Sequence, residues 1–126
     1  TLDIMKKAEF EYYSKKNVSL FAYSSQSKGY FSKLYHNIPL SEKAETRYKN
    51  EKSEKVYNML LEICHETNVD IASVVVSVLL NNPAFCTIPI VGCKNAEQIR
   101  TSLMGADLKI GTKTVLEVIN AGLYSA

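Results

Sequence analysis

A short stretch between Gly92 and Arg100 combines a turn glycine, two basic side chains and the start of a helix. Asn95, with Gln98 three residues later, forms the pattern of a helix capping box. The first turn of a helix presents unpaired backbone N–H groups and the positive end of the helix dipole. Because Lys94 and Arg100 add positive charge there, this stretch predicts an anion site suited to a phosphate group. The alternative is a solvated turn whose charges serve no ligand.

A second polar stretch, residues 24–29, reads Ser-Ser-Gln-Ser-Lys-Gly and follows a predicted strand at residues 18–23. Binding sites of α/β proteins lie at the C-terminal ends of parallel strands. The first stretch follows a predicted strand too, at residues 87–91, whose apolar β-branched run indicates burial on both faces. We therefore expect the two polar stretches to meet at one edge of a sheet. Plain turn geometry is the alternative for the glycines and solvation for the lysines.

The elements that must position these stretches are mostly helical. Asp70 is expected to cap a buried helix, although the valines that follow it also favour a strand, and Thr112 is expected to cap the last helix. Residues 36–53 are expected to form a long surface excursion with a little helix. Helices are predicted at residues 2–16, with Met5, Ala8 and Tyr12 on one face, at 54–67, 71–80 and 96–105, and from 112 onward. Two parallel strands cannot shelter a core or satisfy their own edges, so the pattern predicts part of a larger fold.

Composition limits the class of protein. The chain has 126 residues, of which 46% are hydrophobic and 22% charged, as in a globular domain. Its net charge of +2 gives no reason to expect nucleic acid as a partner. No apolar run reaches the length of a membrane span, so we expect no membrane association.

The cysteines indicate a reducing compartment. Cys64, Cys86 and Cys93 are an odd set without close pairs, and neither histidine lies near such a pair. The spacing therefore predicts no metal site and no disulfide framework. We expect reduced thiols in a cytoplasmic protein, with Cys93 an inert small side chain in a turn. The alternative is a more reactive Cys93 whose thiolate is favoured by the following helix.

Three segments together resemble the closing portion of the aldo-keto reductases. They are FAYSSQSKGYFSKLY at residues 21–35, LLNNP at 79–83 and IPIVGCKNAEQIRTSLMGADLKI at 88–110. The order of the motifs is preserved across nearly the whole chain. The resemblance implies a fold of class α/β, a partial (β/α)8 TIM barrel in which residues 1–126 supply the last two strand–helix units and the C-terminal helix. A complete barrel typically needs about 250 residues.

The resemblance also implies a cofactor and its site. Aldo-keto reductases reduce aldehydes and ketones, their small carbonyl substrates, by hydride transfer from NADPH. Tyr23 matches the aromatic residue that stacks on the nicotinamide ring. The residues matching the loop around the pyrophosphate are Ser24, Ser25, Gln26, Lys28 and Gly29, and those matching the site for adenosine and its 2′-phosphate are Gly92, Lys94, Gln98 and Arg100.

The chain departs from the family pattern in three ways. Ser24, Ser25 and Gln26 stand where many members have Ser-Pro-Leu. Thr101 and Ser102 stand where many members have Glu-Asn, which weakens the expected contact with adenine. The catalytic Asp, Tyr, Lys and His of the family come from the first half of the barrel, and neither His36 nor His65 matches that position. We therefore expect no catalysis by this chain alone. Its expected partner is the missing N-terminal half or a second copy; the alternative function is a non-catalytic nucleotide-binding, anion-binding or scaffolding module.

Overall fold

In the computed structural model, which describes residues 5–125, the chain is a mostly helical α/β protein. In chain order the elements are α1 (Lys7–Lys16), β1 (Leu20–Ala22), a 3-10 turn (Ser27–Gly29), α2 (Tyr30–Tyr35), α3 (Glu42–Tyr48), α4 (Glu51–Thr67), α5 (Ile71–Leu80), β2 (Thr87–Pro89), α6 (Ala96–Asp107) and α7 (Thr112–Gly122).

The two strands pair in parallel, with Phe21 opposite Ile88 at the centre of the register. This parallel pair confirms the predicted pairing, although both strands are shorter than expected. The predicted burial of β2 on both faces is wrong. Ile88 is 38% exposed and Phe21 is 64% exposed, because the described residues leave this face of the sheet in contact with solvent.

Helix α5 is the centre of the core, as its composition predicted. Asp70 caps it, with its carboxylate accepting a 2.8 Å hydrogen bond from the backbone N–H of Ala72. Ile71 and Val74 are fully buried. Burial of so many apolar side chains outweighs the small helix penalty of β-branched residues, so the helical interpretation is confirmed over the strand.

The surface excursion with a little helix expected at residues 36–53 contains more helix than predicted, because α3 lies within it and α4 begins there. The Ser41 hydroxyl caps α3 by accepting from Ala44 N at 3.3 Å, and the Asn50 side chain caps α4 by accepting from Ser53 N at 3.0 Å. Tyr48 is only 3% exposed. The many charged residues of this segment suggested a loop, although it also contains one buried aromatic residue and two helix-capping residues.

Helix α1 starts later than predicted and buries a different face. It begins at Lys7, and residues 2–4 of the expected helix lie outside the described part of the chain. Phe10 and Tyr13 pack against the core, whereas Ala8 and Tyr12 are exposed. Preceding the helix, the chain forms a backbone bridge in which Met5 O accepts from Tyr124 N at 2.9 Å.

The last two helices differ from prediction at their ends. Helix α6 continues to Asp107, two residues beyond the expected end. The expected cap at Thr112 is wrong, because Thr112 is the first helical residue of α7 and Gly111 occupies the cap position without a side-chain hydrogen bond. Among the described residues no single helix is long and apolar enough to span a membrane; α4 and α5 pass that test only as a pair, bent by 103°.

Helices α5 and α6 approach closely through small and hydroxyl-bearing residues. The Ser73 hydroxyl donates to Thr101 O at 2.6 Å, and the Ser77 hydroxyl donates to Leu108 O at 2.8 Å. At the contact itself, a Cβ on Gly105 would overlap the backbone carbonyl of Ser73. Only glycine fits there without moving one helix.

We expect Gly105→Ala to destabilise the fold by about 1–3 kcal/mol, because the added methyl group must push α6 away from α5. Gly92→Ala is the matched control, since Gly92 lies outside the helices and nothing lies within 4 Å of a Cβ at that position. Denaturant unfolding of both variants measures the difference. Equal stability of the two variants would contradict the proposed close packing.

Candidate functional site

The polar loops after β1 and β2 are joined by hydrogen bonds. The Ser25 hydroxyl donates to the carbonyl of Ile90, just beyond β2, at 2.8 Å. The Gln26 side-chain amide donates to the Ser102 hydroxyl on α6 at 3.1 Å. Parallel strands end at the same edge of a sheet, and these two contacts join the first polar stretch to Ile90 and Ser102, which lie on either side of the second.

The first loop, residues 24–29, has an unusual backbone. Ser24, Ser27, Lys28 and Gly29 all have left-handed dihedrals, with φ of 52°, 48°, 53° and 77°. For residues with a Cβ this conformation costs about 1–2 kcal/mol each. Two backbone hydrogen bonds, Ser27 N to Ser24 O at 2.9 Å and Gly29 N to Gln26 O at 2.8 Å, hold the turns. The contacts of the loop, rather than the preferences of its residues, therefore fix its shape.

The second loop is organised by the cap of α6. The Asn95 side chain accepts from Gln98 N at 2.9 Å, as the sequence predicted. The reciprocal half of the expected capping box is wrong by one residue, because the Gln98 carbonyl oxygen accepts from Lys94 N at 2.8 Å and not from Asn95 N. The Gln98 carbonyl oxygen thus holds the backbone of Lys94 in place. The NH₂ group of the same side chain can then donate to a ligand.

Exposed cations surround the two joined loops. Lys28 and Lys94 are exposed, and the Arg100 side chain is 76% exposed. Arg100 lies 3.6 Å from the Glu97 carboxylate, but such a surface pair is worth little and leaves the guanidinium accessible. The arrangement can attract an anionic ligand at the shared edge.

The other predicted site residues have different environments. The Tyr23 side chain is 71% exposed at the end of β1, and Gly92 is exposed in the second loop. Ser25 is only 5% exposed, and its hydroxyl is engaged with Ile90. The Ser25 hydroxyl therefore contacts the protein itself. A ligand can reach this loop more readily at Lys28, which is exposed.

Sequence reasoning considered Ser102 only for contact with adenine and missed its role in joining the loops. It is buried on α6, accepts from Gln26, and has its oxygen 4.0 Å from the Cys93 sulfur. Ser102 lies 76 positions from Gln26 along the chain, so no local sequence pattern indicates that the two residues are in contact. Only the tertiary structure makes it the joint between the two loops.

Cys64, Cys86 and Cys93 are unpaired, and the described residues include no group of three or more metal-ligating side chains. Burial, with a smaller contribution from the negative charge of Asp70, raises the pKa of Cys64 to about 11. Cys64 is therefore a protonated, inert thiol near neutral pH. The expectation that Cys93 is inert remains a prediction.

Comparison with known protein families gives a match for this chain. The model of the aldo/keto reductase family matches residues 3–118. The chain therefore belongs to the aldo/keto reductase family, a family of oxidoreductases, as its motifs predicted. No match was found among curated proteins or among solved structures.

We expect Ser25→Ala to lower the free energy of unfolding by about 1 kcal/mol, because the Ile90 carbonyl loses its hydroxyl donor. Ser19→Ala, at an exposed position just before β1, is the matched control. Amide hydrogen exchange should also quicken in residues 24–29 of the Ser25 variant alone. Unchanged exchange in that loop would show that the hydrogen bond does not join the loops in solution.

Proposed function

We propose that residues 1–126 form the C-terminal, cofactor-binding part of an NADP(H)-dependent aldo/keto reductase that reduces aldehydes or ketones. The observation that carries this proposal is the joining of the two polar loops through Ser25 and Gln26. Membership of the family supports the oxidoreductase class. When bound, NADPH supplies the hydride for reduction of the carbonyl carbon.

The residues at the shared edge fit a phosphorylated dinucleotide. Lys94 and Arg100 are exposed cations at the start of α6, where the helix dipole adds further positive potential. This positive charge at the start of α6 would bind a dianionic 2′-phosphate. Residues 24–29, with Lys28 exposed among them, suit the pyrophosphate, and the Tyr23 ring at the end of β1 suits stacking with the nicotinamide.

The bare face of the sheet supports a larger barrel. Phe21 and Ile88 are cross-strand neighbours, and both are exposed together with Ile90, which is 49% exposed. A cleft of about 250 Å³ runs beside β1, with Met5, Tyr13 and Leu20 among its lining residues. Further parallel strands would cover this face and supply the catalytic residues. On this proposal the chain alone binds cofactor and does not reduce carbonyls.

The charge arrangement predicts a preference for NADPH over NADH. We expect about tenfold tighter binding of NADPH, since only NADPH carries the 2′-phosphate that Lys94 and Arg100 would bind. Lys94→Ala should weaken NADPH binding several-fold and leave NADH binding unchanged. Titration by cofactor fluorescence measures both affinities.

The matched control for this titration is Lys109→Ala, which removes an exposed lysine from the connector between α6 and α7. It should leave both affinities unchanged. Equal affinities of the unaltered chain for NADPH and NADH would refute the assigned phosphate site. An equal loss of NADPH binding in both variants would indicate attraction by overall charge only.

The exposed sheet face predicts self-association of the isolated chain. Multi-angle light scattering should give a mass at least about twice the 14.1 kDa of one chain, because apolar patches of this kind are covered by association. The double variant Phe21→Ser/Ile88→Thr should shift the mass towards one chain. Tyr12→Ser, at a 59% exposed position on α1, should not. A monodisperse single chain before substitution would count against the incomplete barrel.

A further inference from the structure

A cavity of about 40 Å³ lies behind the first loop, among α2, α4, α5 and α7. Nine of its eleven lining residues are buried, and the half-buried ones, Lys52 and Val56, lie on α4. The lining is mainly aliphatic and aromatic, with three serines and one lysine. The first loop contributes Ser25 and Ser27 to its lining, whereas the bare face of the sheet contributes no residue.

Two serine hydroxyls at this cavity are not satisfied by any group of the described residues. Ser27, in the first loop, is 5% exposed, and Ser53, on α4, is 3% exposed. Within residues 5–125 neither hydroxyl has a hydrogen-bond partner, in contrast to the Ser25 hydroxyl, which donates to Ile90 O. Buried hydroxyls without a partner are rare in folded proteins and commonly mark an ordered water molecule.

We infer that this cavity is a binding site for a small cluster of water molecules that bridges Ser27 to Ser53. A water molecule needs roughly 10–15 Å³ of such volume, so the cavity has room for about three. The Lys52 ammonium donates to Leu123 O at 2.8 Å and keeps further protons for a water partner. The apolar remainder, including Phe31 and Leu60, disfavours a charged ligand.

The bridge would anchor the most strained part of the loop. Ser27 and Lys28 both have left-handed dihedrals, and one end of the bridge is at Ser27. Water therefore ties this turn to α4 as the Ser25 hydroxyl ties the preceding turn to Ile90. The water site stands on burial, volume and unsatisfied hydroxyls, whether or not the loop holds a cofactor.

Ser53→Ala tests the bridge by the sign of its effect. If water links the hydroxyls, alanine removes a partner and the melting temperature should fall by about 3–6 °C. If the cavity binds no water, alanine removes an unsatisfied buried hydroxyl and the melting temperature should stay equal or rise. The control is Ser14→Ala, at an exposed position in α1, which corrects for the helix preference of alanine.

A direct measurement keeps the inference testable if Ser53→Ala does not fold. Water–amide cross-relaxation in the NMR spectrum of the unaltered chain should show long-lived water beside the amides of Ser27 and Ser53. Ser53→Val, which fills the space with apolar groups, should abolish that signal. Absence of long-lived water at both amides would overturn the inference, and so would an unchanged or higher melting temperature for Ser53→Ala relative to its control.

Discussion

The hydrogen bond from the Ser25 hydroxyl to the Ile90 carbonyl is the contact on which the candidate site depends. The two strands pair over only three residues each. So short a ladder fixes the relative direction of the strands but not the positions of the loops that follow them. The Ser25 bond extends the pairing past the strand ends into the loops. Gln26 then continues it to Ser102 on α6. Together these contacts make one continuous edge from two segments distant in the chain.

Helix α5 provides the support behind that edge. It is buried along almost its entire length, so its polar side chains must be satisfied by its neighbours. Ser73 and Ser77 accomplish this by donating to backbone carbonyls of Thr101 and Leu108, at α6 and just after it. The glycine at position 105 permits the close approach that these bonds need. Helix α6, and with it the cation-rich second loop, is thereby held in place by a buried neighbour.

The exposed apolar face of the sheet agrees with the proposal that the chain is part of a larger fold. In a globular domain a face carrying Phe21, Ile88 and Ile90 would be covered, yet these side chains are largely exposed. The barrel proposed above gives a physical reason, because on that proposal other strands cover the inner face of the sheet. The proposed function and the exposed apolar surface therefore have one common explanation.

The sequence alone determined the elements whose signals are local. Asp70 and the apolar run after it specified α5, Asn95 specified the start of α6, and the motifs around residues 21–35 and 88–110 specified the family. The caps at Ser41 and Asn50 were equally local but lay within a highly charged segment whose polarity suggested a loop. Hydrophobic periodicity failed at α1, because a helix with several aromatic residues has more than one face that can be buried.

Only the tertiary structure decided which side chains serve the ligand edge and which serve the fold. Ser25 and Lys28 are polar neighbours in one loop, yet Ser25 is buried against Ile90 and Lys28 is exposed. Burial of each side chain depends on elements far away in the chain, and the partner of Gln26 lies 76 positions from it. Contacts of that range are set by packing, and no local pattern of residue types encodes them.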